Sequence, residues 1–279
     1  MCVLLDFGVP AEVTMKRGDD QRALSRKPAA MLHGELGLPA TVEAVLFDLD
    51  GVLTDTAAVH RAAWRQTFDD LVRSYEGPAA RPFSDEEYAR LVDGRSREDG
   101  VRAFLAERGI ELPDGTKADG PREPTVHGVA TAKNNRLRAE LERGGVRAYP
   151  GSVRFLSAVR RSGLRVGVVS ASANATEVLA VAGLTALAPV VVDGLVIERQ
   201  GLVGKPAPDS FLAGAAALHT EPGHAAVFED ALAGVAAGRA GGFVPVVGVN
   251  RSDQAAALRE RGADVVVSDL ADLLEGSDG

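Results

Sequence analysis

Cysteine is nearly absent. Cys2 is the only one among 279 residues, which rules out a disulfide within the chain and makes a reducing compartment the simplest reading. Long apolar runs are missing too. No stretch approaches the ~20 residues that span a bilayer. Near the amino end Lys16, Arg17, Asp19 and Asp20 break the charged, apolar, small order of a secretory leader. Basic residues are in deficit: 31 Lys and Arg stand against 39 Asp and Glu, a formal net charge of −8. Such a balance argues against nonspecific binding to nucleic acid or to a membrane surface. It leaves room for an anionic substrate held in a local cationic pocket. His33, His127, His219 and His224 lack metal-ligand spacing, and no internal repeat is visible. These absences describe an expected cytoplasmic protein, monomeric or weakly oligomeric, whose partners are small molecules.

What is present suits a globular fold. Hydrophobic residues make up 46% and charged residues 25%, ordinary values in a chain long enough to bury a core without staples. Residues 1–40 have little periodicity and several charges, with Met15 and Met31 as alternative starts, and are expected to form an extension outside the main fold. From Val42 the pattern changes. Short apolar runs appear at Ala44–Phe47, Val166–Val169, Ala225–Phe228, Pro245–Val249 and Val265–Val267, with Val190–Val192 as a further candidate. Continuous apolar runs of this length fit strands buried on both faces. Helix-like stretches such as Gly151–Ser162 and Ala175–Ala182 lie between them, so the expected fold class is α/β, a doubly wound parallel sheet with a Rossmann-like core. Residues 59–148 break the rhythm with helical spacing and two loop-like stretches, Gly77–Pro82 and Leu112–Gly128. The simplest organisation is a core of residues 41–58 and 149–279 with an inserted helical cap of residues 59–148.

Ligands of open parallel sheets bind at the carboxyl ends of the strands, so the residues after each run carry the chemistry. Asp48-Leu49-Asp50-Gly51 follows the first, Ser170-Ala171-Ser172 the second, and Glu229-Asp230 the third, while Lys205 precedes Pro206-Ala207-Pro208-Asp209. Asp48 and Asp50 project to one side of an extended chain, ~7 Å apart at the alpha carbons. One carboxylate can attack while the other handles a proton. Glu229 and Asp230 would add charge that calls for a cation, and oxygen-only ligands suit magnesium. Lys205 would balance that charge and hold a phosphate. Ser170 and the backbone N–H groups after it offer donors to phosphate oxygens. The blander readings are helix caps at Asp230, Ser172 or Asn174, a solvated Lys205, and a surface ion pair of Arg97 with Glu98 or Asp99.

Taken together, Phe47-Asp48-Leu49-Asp50-Gly51-Val52, Ser170, Lys205-Pro206 and Glu229-Asp230 resemble the haloacid dehalogenase superfamily of phosphotransferases over about residues 42 to 274. The resemblance implies Asp48 as nucleophile and Asp50 as general acid/base. It also implies a magnesium site made by Asp48, the Asp50 backbone carbonyl, Glu229 and Asp230. Thr54-Asp55-Thr56-Ala57 with His60 and Trp64, Gly94-Arg95-Ser96-Arg97-Glu98-Asp99, Lys133-Asn134 and Ser170-Ala171-Ser172-Ala173-Asn174 look like the beta-phosphoglucomutase family. That likeness implies that Arg97 and Lys133 meet substrate from the cap, that Ser170, Ala171 and Asn174 hold phosphate or sugar from the core, and that Thr54 and His60 sit at the hinge and position Asp50. Trp64 is expected to serve cap packing. The implied reaction is phosphoryl transfer on a sugar phosphate, interconverting beta-glucose 1-phosphate and glucose 6-phosphate through the bisphosphate. A phosphatase on the same core is the first alternative and a noncatalytic binding protein the second. The long Leu112–Gly128 stretch and residues 1–40 depart from a minimal family member.

Overall fold

A computed structural model describes residues 35–275. Cys2, Met15, Met31, His33 and most of the expected extension lie outside the described residues. Six parallel strands form the sheet: β1 (Ala44–Phe47), β2 (Arg165–Val169), β3 (Val190–Val192), β4 (Ala225–Glu229), β5 (Val246–Val249) and β6 (Val265–Val267). Their order is β3-β2-β1-β4-β5-β6, so the chain winds one way from β1 to β3 and the other way from β4 to β6. The reversal falls between β1 and β4, where doubly wound sheets open a crevice for ligands.

The apolar runs are continuous because both faces of the sheet are covered. Strand alternation sends Val45 and Phe47 into one layer with Phe155 and Phe228, and Ala44 and Leu46 into the other with Phe211 and Phe243. Phe47 stacks on Phe228 at 4.6 Å and meets Phe155 edge-on at 6.2 Å. Leu36 and Leu38, placed with the extension by their lack of periodicity, are buried in the first layer. The packed structure therefore takes in the last residues of that segment.

Between β1 and β2 the chain leaves the sheet for a helical insertion. It contains α1 (Ala57–Glu76), a short helical turn Asp85–Glu87 running into a π-helical stretch Tyr88–Val92, α2 (Arg97–Arg108) and α3 (Val126–Gly144). Ser84 starts the turn with a capping box, Ser96 caps α2 and Thr125 caps α3, each oxygen satisfying an otherwise orphaned N–H. The insertion has its own apolar cluster. Phe68 is its centre, stacked on Phe104 at 3.8 Å and on Trp64 at 4.8 Å, with Phe83 edge-on at 5.0 Å. The loop before α3 is tied by Asp119, which accepts from Thr116 and Thr125, while Lys117 pairs with Glu198 of the core. The two chain crossings run side by side. Thr54 bridges Ala148, and the Asp55 N–H donates to the Arg147 carbonyl at 2.9 Å.

The second crossing leads into α4 (Pro150–Ser162), with proline at its first turn. The remaining core helices are α5 (Ala175–Val181), α6 (Gly194–Gln200), α7 (Asp209–Ala217), α8 (Leu232–Ala240), α9 (Ala255–Glu260) and α10 (Asp272–Glu275). Of these, α9 buries Leu258. Because Phe68 contacts three other rings, Phe68→Ala should destabilise the insertion by about 3–5 kcal/mol. Denaturant unfolding followed by Trp64 fluorescence checks this, and a loss below about 1 kcal/mol would show that the ring stack does not organise the insertion.

Candidate active site

The carboxyl ends of β1, β2 and β4 meet at one buried lysine. Lys205 Nζ donates to Asp48 Oδ1 at 2.7 Å, to the Val169 carbonyl at 3.1 Å and to Glu229 Oε1 at 2.6 Å. All three of its protons are used, and it is 3% exposed, so the solvated-loop reading of Lys205 fails. Burial opposes its charge, but the Asp48 and Glu229 carboxylates outweigh that and raise its pKa well above the ordinary lysine value, so it stays a cation. Glu229 Oε2 accepts the Ala231 N–H at 2.8 Å. Glu229, rather than Asp230, therefore satisfies the chain entering α8, and Asp230 is left facing the site.

Asp48, Glu229 and Asp230 each place a carboxylate oxygen within 4.8 Å of the others. Burial raises the Asp48 pKa well above the usual range, and Glu229 and Asp50 add to it while Lys205 opposes. Asp230 is raised in the same way, by burial first and then by Asp93, Glu229, Asp48 and Asp50. One lysine does not offset this charge. Three hard oxygen donors, crowded and under-compensated, fit a divalent cation such as magnesium. Gly51, at φ +92°, makes the turn between the acids possible, and a side chain there would collide with the Asp230 carboxylate. Arg251, stacked on Tyr149 at 3.8 Å, donates to the Gly51 carbonyl at 2.9 Å. Gln254 donates to the Asp230 carbonyl at 2.8 Å.

Asp50 faces the insertion. Its Oδ1 accepts a short hydrogen bond from Thr56, and its Oδ2 accepts from Ser170 at 3.3 Å. Thr54 does not reach the Asp50 side chain; it bonds to Thr56 at 2.9 Å and to the Leu49 carbonyl at 3.1 Å. The hydroxyl that meets Asp50 is therefore Thr56, two residues beyond the one expected. His60 Nε2 lies 3.5 Å from Asp50 Oδ1, and its Nδ1 lies 3.2 Å from Lys133 Nζ. Burial, with the Lys133 charge, pushes His60 down to about 4. Burial, with Arg97, pushes Lys133 down to about 7. Lys133 also sits over the Trp64 ring at 5.1 Å, so Trp64 both packs the insertion and lines the site.

One cavity collects Asp48, Asp50, His60, Arg97, Lys133, Ser170, Ala171 and Asp230. Lys205 and Glu229 lie buried beneath it. Asn174 is not among its lining residues and instead donates to Asn134 of α3 at 3.0 Å, linking core to insertion. Neither Ser172 nor Asn174 caps α5 with its side chain. Arg97 forms no ion pair with Glu98 or Asp99; Asp99 is bonded to Ser96 and Arg102. Tyr88 and Asp93, which the sequence did not single out, also line the cavity, as does Arg95, which stood in the quoted motif without a role. Burial raises Asp93 to about 6 despite the Tyr88 hydroxyl beside it. Gly94, at φ +73°, brings the insertion against the core, where an added Cβ would lie 3.0 Å from that of Ala231.

A parallel sheet with a lysine-bridged acid cluster at its switch point and helices inserted after β1 defines a class, the phosphotransferase-type hydrolases. Residues 42–242 match the model of the haloacid dehalogenase-like hydrolases, and the chain belongs to that family. It is 51% identical over 246 residues to a beta-phosphoglucomutase of Mycobacterium bovis, covering 86% of this chain and 94% of that protein. It is 31% identical to a beta-phosphoglucomutase of Bacillus subtilis, covering 83% and 92%. Among solved structures, a beta-phosphoglucomutase of Clostridium difficile superposes with a TM-score of 0.65 at 27% identity, covering 83% and 93%.

Lys133 offers a pH-dependent test. Its folded pKa, about 7, lies below its unfolded value near 10.4, so between these values the unfolded chain binds the extra proton and stability rises with pH. The cost of burying the charge is full below pH 7. Lys133→Met should therefore stabilise the protein at pH 6, by on the order of a few kcal/mol, with the gain shrinking steadily towards pH 10. Denaturant midpoints across that range check it; a gain independent of pH would mean that Lys133 is not held against its charge.

Proposed function

We propose that this chain is a beta-phosphoglucomutase, transferring phosphoryl groups through an aspartyl-phosphate on Asp48 and converting beta-glucose 1-phosphate into glucose 6-phosphate. The carrying observation is the convergence of Asp48, Asp50, Lys205 and Asp230 at one sheet edge. The 51% identity to a named beta-phosphoglucomutase supports the choice of reaction.

Asp48 Oδ1 is held by Lys205, which leaves Oδ2 to attack phosphorus. With Asp48 phosphorylated, Asp50 takes the proton from the sugar 6-hydroxyl as its oxygen bonds to phosphorus and the Asp48–phosphorus bond breaks. The resulting bisphosphate turns over in the site. Asp48 then attacks the 1-phosphate, the bond from phosphorus to the sugar oxygen breaks, and Asp50 returns the proton to that oxygen. Thr56, Ser170 and His60 hold Asp50 in line for both transfers. Asp48, Asp230 and the Asp50 carbonyl would hold magnesium, with Glu229 beside them. The ion supplies positive charge that offsets the clustered acids and the transferring phosphoryl group. The Ala171 N–H receives an oxygen of the reacting phosphate, Lys205 holds the other oxygen of Asp48 from beneath, and Arg97 and Lys133 face the sugar from the insertion. Residues 59–148 act as a cap that excludes water. A phosphatase would use the same core and admit water at the second step. Arg97 favours the mutase, because a bisphosphate held in two orientations needs a cation remote from Asp48. The single cysteine supports a cytoplasmic enzyme, proposed to act as a monomer or weak oligomer.

Asp48→Asn should reduce turnover of beta-glucose 1-phosphate, assayed with a glucose 1,6-bisphosphate primer, by far more than the ~10²-fold an auxiliary group supplies. Intact mass after exposure to acetyl phosphate should show one phosphoryl group on the wild type and none on the variant. Residual activity above one part in about a hundred would overturn the covalent route. Wild-type release of inorganic phosphate without glucose 6-phosphate would select the phosphatase. Chelation should abolish turnover and magnesium restore it, while Asp230→Ala should weaken magnesium binding measured by calorimetry. Full activity in excess chelator rules the metal out.

A further inference from the structure

Two guanidinium groups line the cavity without a carboxylate bonded to either. Its basic lining residues are His60, Arg95, Arg97 and Lys133. His60 and Lys133 bond to each other, and Lys205 beneath them is fully engaged. Among the described residues, neither Arg95 nor Arg97 has a side-chain hydrogen bond or ion pair. By contrast Arg90, Arg102 and Arg108 of the same insertion are bonded to Glu107, Asp114 and Glu87.

The backbone explains why both face the same space. Gly94 turns the chain at φ +73°, and Ser96 between the arginines is extended, at φ −61° and ψ 153°. Residues two apart on an extended segment project to one side, ~7 Å apart at the alpha carbons. Ser96 points the other way. Its hydroxyl bonds to the Asp99 carboxylate at 2.7 Å and accepts the Asp99 N–H, and it lines a neighbouring cavity that Arg97 also borders and Arg95 does not. Gly94 also packs on Ala231, beside Asp230, so the turn that carries Arg95 is braced against the core.

We propose that Arg95 is a second substrate-binding residue, forming with Arg97 a two-guanidinium clamp on the phosphate remote from Asp48. This rests on the mutase reading in that only a bisphosphate presents a second phosphate when the first lies at Asp48. Planar guanidinium groups grip phosphate oxygens with paired hydrogen bonds, which an ammonium does not match. The clamp sets a preference for doubly phosphorylated sugars over singly phosphorylated ones.

The test compares wild type, Arg95→Ala, Arg95→Lys and Arg97→Ala. It measures affinity for glucose 1,6-bisphosphate and for glucose 6-phosphate by calorimetry, and hydrolysis of acetyl phosphate, which has no second phosphate. Arg95→Ala should weaken bisphosphate binding roughly tenfold, the scale of one charge-assisted contact, while acetyl phosphate hydrolysis and thermal stability hold. Arg95→Lys should recover only part of the loss. Wild-type bisphosphate affinity in Arg95→Ala overturns the clamp, as does an equal loss on acetyl phosphate. A wild type that prefers the bisphosphate but forms no glucose 6-phosphate sinks the mutase reading and leaves the clamp standing. One that binds both sugars alike overturns the clamp even if the mutase reaction proceeds.

Discussion

The structure turns on a buried ammonium that joins the ends of three adjacent strands. Lys205 reaches Asp48 after β1, the Val169 carbonyl at the end of β2 and Glu229 at the end of β4. A buried charge of this kind is poor evidence for stability, because desolvation cancels much of the attraction. Its value is geometric. It selects one oxygen of Asp48, turns Glu229 away from the cavity, and so leaves the other Asp48 oxygen and Asp230 facing the substrate. Glu229 in turn receives the Ala231 N–H, which carries the constraint from the lysine to the start of α8.

Asp50 connects this fixed floor to the insertion. Its carboxylate contacts Ser170 of the core and Thr56 and His60 at the first crossing, and His60 contacts Lys133 on α3. The group proposed to move protons is therefore shared between the two sides of the cleft. A displacement of the insertion would remove His60 and Lys133 from it while Asp48 and Lys205 stayed in place. In the proposed mechanism the groups that hold Asp50 would thus come from both sides of the cleft, while Asp48 is held from the core alone.

The sheet was readable because strands buried on both faces have no polar positions to interrupt them, as Ala44–Phe47 and Ala225–Phe228 show. Asp48, Lys205 and the Glu229-Asp230 pair were readable because they stand at the ends of such runs or in a recognisable phrase. Contacts that depend on how distant segments pack were not. Thr54 and Thr56 lie on the same side of the chain, and nothing local says which reaches Asp50. Asp93, Arg95 and Arg251 owe their places to the insertion and to the loop after β5. Leu36 and Leu38 have no periodic neighbours, so their burial depends on a groove that only the finished fold provides.

The close fit of Gly94 on Ala231 bears on tempo. Lys133 is 1% exposed and Asp48 7%, so in the proposed reaction a sugar phosphate would reach Asp48, and product would leave, by movement of the insertion away from the core. Such gating commonly proceeds in microseconds to milliseconds. The ceiling on turnover would then be set at the paired crossings near Thr54 and Ala148, and substitutions there would change how fast the enzyme runs without touching an atom that reacts.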